Sequence, residues 1–377
     1  MPGNIKPYLR IGLIGCGRIA QHVHLPVLTA LDGVELAAVA EVDAGRREAC
    51  RAVSPRARLF ADYRDLLDEG DVEAVVICLP PALHAETAVA CFERNLHVYV
   101  EKPLATTLED GEKVVAAWRQ AGTVGRIGFN CRFHPLVAEL RAVLRRGIPG
   151  GVIGARTVFC AARRTLPEWK RDRAIGGGVL LDLVSHHFDL VRFVFDQEIV
   201  EIGALLRSFE SEEDTVAIKL RLAAGPLVTT FASLAAVEED CIEVYGSSGK
   251  LVFDRYRSSR LGFTPSRRDY RWMARVRAAA ATLAALPRTA RDILSPPRER
   301  SFAFALAAFG AAIQGRTHKG PDLEDGLRSL AAVIAAERAA RSGETVALAR
   351  VAPISRGDTP AMQATASLPA DSRKAHT

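Results

Sequence analysis

The chain has 377 residues, of which 49% are hydrophobic and 25% charged, with a formal net charge of +6; this near-average composition excludes extensive disorder and leaves room for two domains with substantial cores. Lys and Arg are interspersed with Asp and Glu, and neither a nucleic-acid motif nor an aromatic stacking platform accompanies them, so the positive balance reads as solubility and no nucleic-acid partner is expected. Seven scattered cysteines without a CxxC pair or Cys/His ligand spacing argue against a disulfide framework and a metal site and favour a reducing, cytoplasmic setting, while no apolar run reaches the ~20 residues of a membrane span and a first strand by about Leu9 leaves no room for a leader.

From Leu9 to about Gly128, short apolar strands alternate with helical segments: Leu9 to Ile14, Leu36 to Ala40, Ala74 to Leu79, His97 to Val100 and Val124 to Phe129. Strands separated by helices predict right-handed crossovers and a parallel, doubly wound sheet, an N-terminal Rossmann domain over residues 1–130. The first strand runs into Gly15-Cys16-Gly17-Arg18-Ile19-Ala20. Absent side chains at Gly15 and Gly17 and a small one at Ala20 permit a tight turn whose N–H groups meet a diphosphate at a helix N-terminus. Glu41 falls at the end of the next strand, where an acid accepts bonds from an adenosine ribose 2′-OH and repels a 2′-phosphate, so NAD is favoured over NADP. Asp43 is the rival, although an Asp before Ala44-Gly45-Arg46 reads better as a helix N-cap. Three further segments should line the same strand-end crevice: Leu79-Pro80-Pro81 with His84, Glu101-Lys102-Pro103, and Asn130 to His134. Within them Leu79, Pro80, His84, Glu101, Lys102 and Asn130 are expected at the cofactor, and Lys102 and Arg132 at the substrate.

After Asn130 the texture changes. Helices are predicted at Leu136 to Arg146 and Val179 to Phe195, and strands at Gly154 to Ala161, Ile199 to Ser208, Asp214 to Leu222, Leu227 to Ser233 and Cys241 to Gly246. Short turns between consecutive strands favour a large, mainly antiparallel sheet, so residues 131–351 read as an α+β domain whose open sheet offers a surface for a homodimer or homotetramer. Residues 255–300 read as a basic, irregular, partly helical excursion, Ala303 to Gln314 and Glu324 to Arg341 as closing helices, Thr345 to Val351 as a strand, and 352–377 as a disordered tail.

Gly176-Gly177-Gly178 leads into a helix on which Asp182, His186 and Asp189 share one face. An imidazole that titrates near neutrality suits general acid/base work on a hydroxyl. His187 points about a hundred degrees away and fits a supporting or interface position as well as a catalytic one. A carboxylate and one imidazole without a third ligand make no metal site. The basic loop with Arg163, Arg164, Trp169, Lys170, Arg171 and Arg173 reads equally as a solvated surface or as a site for a phosphate or uronate, with Trp169 and Arg164 as substrate contacts.

These blocks together resemble the Gfo/Idh/MocA oxidoreductases, the glucose-fructose oxidoreductase and inositol dehydrogenase group. The matching runs are Ile11 to Ala20 with His24 and Pro26, Pro80 to Glu86, Val100 to Leu104, Gly128 to Pro135, Gly176 to Asp189, Glu213-Asp214, Tyr245 to Leu251 and Ser342 to Leu348. The resemblance implies nicotinamide-dependent oxidation or reduction of a sugar, nucleotide sugar or cyclitol, with Lys102, Asp182 and His186 carrying the chemistry. On that reading His186 is the base, Lys102 steadies the developing alkoxide, and Asp182 orients the substrate and supports His186. Leu79 stands where a Thr or Ser is usual, and Val184 where a Gly is common, which narrows the pocket. The alternative is a dinucleotide-binding regulator that kept the fold and lost catalysis; glycosidase-like use of the bound cofactor is a minor third option.

Overall fold

The computed structural model describes residues 8–163, 165–266, 300–317 and 319–348; the expectations for Arg164, for 267–299 of the basic stretch and for the 352–377 tail lie outside the described residues. Strands β1 (Leu9–Ile14), β2 (Val34–Ala40), β3 (Arg58–Phe60), β4 (Ala74–Ile77), β5 (His97–Val100) and β6 (Gly125–Ile127) form one sheet in the order β3-β2-β1-β4-β5-β6. Every pairing is parallel. Strand β4 is buried along its whole length, because helices cover both faces of a parallel sheet. The connecting helices start on local caps: Asp43 accepts from the Arg46 N–H at the head of Ala44–Val53, and Thr107 accepts from Asp110 at the head of Leu108–Ala121. Strand order reverses between β1 and β4, so a crevice opens at their carboxyl ends.

The second sheet has eight strands: β7 (Val152–Cys160), β8 (Ile199–Arg207), β9 (Thr215–Leu222), β10 (Leu227–Ser233), β11 (Glu239–Gly246), β12 (Gly249–Asp254), β13 (Gly262–Pro265) and β14 (Val346–Ala347). They run in the order β13-β12-β11-β7-β10-β9-β8-β14, antiparallel except for β7 beside β10. Residues alternate in and out along β9 and β10. Val216, Ile218, Leu220 and Val228 pack against Phe188 and Val191 of helix Ser185–Phe195 and Val333 of helix Leu323–Ser342. The fold is thus the expected α/β arrangement, a Rossmann sheet followed by an α+β unit on a large, mainly antiparallel sheet.

Three strands lie outside the elements that the sequence predicts. Strand β3 is only three residues long, and β12 completes a hairpin with β11 through the turn Ser247-Ser248, which Gly246 and Gly249 flank. The basic stretch begins with irregular turns over 255–261, as expected, but Gly262–Pro265 is a strand that pairs with β12, its mostly exposed side chains having hidden any alternation. Helix Ser301–Ile313 inserts Ala305, Leu306 and Phe309 beside Leu9, Ile11 and Tyr99, so the chain returns late to the core of the first sheet.

Candidate active site

The glycine turn leaves β1 with Gly15 at φ +88°, where a Cβ would stand 2.8 Å from the Cys78 carbonyl oxygen. A Cβ on Gly17 would meet nothing within 4 Å, so the space over the turn is open to a diphosphate. Arg18 and Ile19 are exposed there and Ala20 is buried at the start of a π-helical turn, Ala20–His24, that continues into helix Leu25–Ala30. Glu41 reaches back to this turn: its carboxylate accepts from the Cys16 N–H at 2.6 Å, the Asp43 N–H at 2.9 Å and the Arg46 guanidinium at 2.7 Å. Burial works against its charge, but these donors hold the carboxyl below the usual range. Asp43 is instead the cap of its helix.

The next two strand ends are tied to one another. The His84 ring nitrogens lie 2.7 Å from the Pro103 carbonyl oxygen and 2.8 Å from that of Leu79, so this ring clamps the two loops together and is not turned toward a ligand. Leu79 packs against Gly15, and Leu79 and Pro80 are half-buried at the rim. Glu101 is buried, 2.7 Å from His24 Nε2, and a Cβ on Gly128 would collide with its carboxylate at 2.8 Å. Glu101 therefore joins the first helix to the loop that carries Lys102. Asn130 donates to the Ser301 hydroxyl at 2.6 Å, which fixes its amide in the protein.

Lys102 leaves this loop as an ammonium 3.0 Å from Asp182 Oδ1, and it also donates to the Asp182 carbonyl oxygen. Asp182 lies in a second π-helical turn, Leu180–Val184, directly before helix Ser185–Phe195. Its other carboxylate oxygen accepts from Lys170 at 2.7 Å. Burial would raise this carboxyl, yet the two ammonium groups overcome it and hold the group far below the carboxylate range. His186 follows one turn later, buried between Phe129 and Phe159, with Nδ1 3.7 Å from the Cys131 sulfur. Burial first, then Lys102, Arg255 and His187, push the imidazole well below its ordinary value against the pull of Asp182. Burial thus favours the neutral form of the ring.

Arg132 departs from its expected role. Its guanidinium donates to Asp189 at 2.8 Å and lies 3.0 Å from Asp325, with the side chain 6% exposed, so it is held inside the protein and not offered to a substrate. Asp189, on the expected helix face, belongs to that same network and not to the reacting group. Trp169 is half-buried with the Lys170 ammonium 5.3 Å from its ring centroid, while Arg163 pairs with Glu210 in solvent.

Two features escaped sequence reasoning. Lys170 sits in a one-turn helix, Glu168–Arg171, within a basic loop whose composition says nothing about which cation turns inward. Behind His186, His187 stacks on Phe159 and approaches Asp240 at 3.3 Å, and Asp240 is paired with Arg255 at 2.6 Å. Asp240 and Arg255 come from β11 and from the residue after β12, too far along the chain for any local pattern to connect them to the helix. Among the described residues no group of three or more acidic, His or Cys side chains is placed to hold a metal, and no helix is long and apolar enough to cross a membrane.

The family described as an oxidoreductase family with an NAD-binding Rossmann fold matches residues 9–129, and the Gfo/Idh/MocA C-terminal domain matches 137–252. The myo-inositol 2-dehydrogenase of Thermotoga maritima is 29% identical over 69% of this chain and 80% of its own length. The 1,5-anhydro-D-fructose reductase of Ensifer adhaerens is 29% identical over 89% of this chain and 97% of its own. Among solved structures, the WlbA dehydrogenase of Bordetella pertussis, in complex with NADH and UDP-GlcNAcA, has the same fold at a TM-score of 0.76 and 22% identity, covering 91% of this chain and 98% of the other. The glycine turn, the second sheet and the two matching domains agree: the chain belongs to the Gfo/Idh/MocA family of oxidoreductases.

Proposed function

We propose that the protein is an NAD-dependent oxidoreductase that moves a hydride between nicotinamide and a hydroxyl or keto carbon of a sugar, nucleotide sugar or cyclitol. The observation that carries this reading is the contact of Lys102 with Asp182, one helical turn before the neutral His186 and across the crevice from the glycine turn. NAD would be held at Gly15, Gly17 and Glu41 and would supply the hydride acceptor. His186 takes the hydroxyl proton as the C–H bond gives up its electron pair, Lys102 steadies the oxygen as the carbonyl forms, and Asp182 fixes the lysine; in the reverse direction the same groups reduce a ketone. The named activities of the relatives, on inositol and anhydrofructose, support a polyhydroxylated substrate. Trp169 beside Lys170 offers a face for a sugar ring. The Glu41 carboxylate disfavours a 2′-phosphate and so supports NAD over NADP.

Copies of the chain pair, on this reading, through the outer face of the second sheet, where Leu205, Leu227 and Phe231 stand exposed. Seven cysteines, all buried free thiols, fit a reducing cytoplasm. Calorimetry should show NAD(H) binding, and a panel of cyclitols, aldoses, uronates and nucleotide sugars should yield NADH absorbance with at least one member. Absence of binding overturns the reading, whereas binding without turnover on any member supports a catalytically silent regulator. Light scattering should report a dimer or tetramer that Phe231→Glu dissociates.

A further inference from the structure

The loop between β7 and the catalytic helix folds as a strap over the crevice, and both domains anchor it. A Cβ on Gly176 would collide with Pro81 at 2.4 Å, and one on Gly177 with the Lys170 carbonyl oxygen at 2.5 Å. Arg173 binds Glu337 at 2.5 Å and donates to the Thr106 carbonyl oxygen at 3.3 Å, while the Arg173 N–H donates to Glu212 at 2.8 Å. The short helix Glu168–Arg171 in this strap delivers Lys170 to Asp182 Oδ2, on the other oxygen from the one Lys102 uses. Both lysine side chains are mostly buried, at 14% and 20% exposure, so the two charges act on the carboxylate through little water.

We propose that Lys170 is a positioning residue of the reacting site: by occupying Oδ2 of Asp182 it restricts Lys102 to Oδ1, leaving that ammonium able to reach a substrate oxygen, and it offsets the carboxylate charge beside His186. Without Lys170, both carboxylate oxygens would be free to draw Lys102 in, and the unbalanced Asp182 would favour the protonated imidazole. A carboxylate that accepts from one lysine alone holds it more tightly than one shared between two. The other groups that face this cluster are His187 on the same helix, Cys131 from the turn after β6, Glu101 next to Lys102, and the Asp240–Arg255 pair from the second sheet.

The inference rests on the hydride-transfer reading, so its test includes a measurement that needs no turnover. In protein carrying isotopically labelled histidine, the His186 ring is titrated by NMR in wild type, Lys170→Met and Lys170→Arg. The midpoint should move up by about one pH unit in Lys170→Met, as expected when the Asp182 charge beside the ring is no longer offset, and stay in place in Lys170→Arg. In turnover, Lys170→Met should lower kcat about tenfold or more with the KM for NAD within about twofold, and shift the acid limb of kcat/KM to higher pH. Lys170→Arg should recover most of the rate. In an Asp182→Asn background, Lys170→Met should have no further effect on the titration. A lower melting temperature or a raised KM with an unmoved His186 midpoint overturns the proposal and makes Lys170 a staple of the strap. If Lys170→Met does not fold, Lys170→Gln is titrated in its place. If the midpoint moves while the wild type oxidises no polyol, the functional reading fails and the electrostatic role of Lys170 stands.

Discussion

Two aspartates seven residues apart on one helical segment, Asp182 and Asp189, are both buried and both ion-paired, yet they sit in opposite kinds of network. Asp189 faces the Arg132 fork; Asp325, on the other side of that guanidinium, is also approached by Arg192 at 3.3 Å, and all of these side chains are less than 7% exposed. Burial opposes the Arg132 charge, but Asp189 and Asp325 outweigh it and raise the group. Asp182 faces two lysines, each a compact charge on a flexible stem, at the edge of the crevice. An arginine fork fixes geometry through parallel bonds, whereas a lysine can turn from one oxygen to another. The choice of cation, more than the acid, separates the structural end of the helix from the end proposed to react.

Removing one cation from each network should expose that difference. Lys102→Met should reduce kcat by about 10³-fold, with NAD(H) affinity within a few-fold by calorimetry and little change in melting temperature. Arg132→Met should do the reverse: it leaves Asp189 and Asp325 buried without their shared partner, at a cost of about 3–5 kcal/mol in stability by denaturant unfolding. The protein that remains folded should retain most of its kcat. Equal losses of stability in the two variants would erase the distinction.

A pH series sharpens it further. His84 and His186 are buried, and burial lowers both imidazoles. Below about pH 6.5 the unfolded chain takes up protons that these rings refuse in the fold, so stability should fall as pH drops from 6.5 toward the folded values, by up to about 1.4 kcal/mol per pH unit for each ring. Thermal melts between pH 7.5 and 5 check the slope, which His186→Asn should flatten; a flat wild-type profile would count against neutral buried imidazoles. The smallest effect belongs to the cofactor end, where Glu41→Ala should raise the KM for NAD about tenfold and narrow the preference over NADP, as measured by initial rates.

Much of this was legible in the sequence wherever function sits on a strand end. The turn at Gly15, the acid at Glu41, Lys102 before its proline, and the Asp182/His186 spacing all lie within a few residues of a strongly patterned element, so chain order together with the family resemblance marked them as candidates. What stayed hidden depends on contacts between distant segments. Arg132 looks like a ligand-facing cation after a strand until Asp325 arrives from the far helix. His84 looks available until both ring nitrogens meet backbone carbonyls. Lys170 is one of several basic residues in a loop without periodicity, and only the fold of the strap selects it. The basic stretch likewise concealed β13 and the inward turn of Arg255, because a short, mostly exposed Gly-Phe-Thr-Pro strand shows no alternation and its pairing is imposed by the neighbouring strand.

The π-helical turn at Leu180–Val184 carries one more consequence, for how this site tolerates change in length. Such a turn holds one residue more than an α-helical turn in the same span. Deleting a single residue between Asp182 and His186 would let the segment rewind as α-helix over the same span. The helix beyond the turn, with His186, would then keep its place relative to Asp182. The turn therefore acts as slack that can take up a one-residue deletion without parting the aspartate from the histidine.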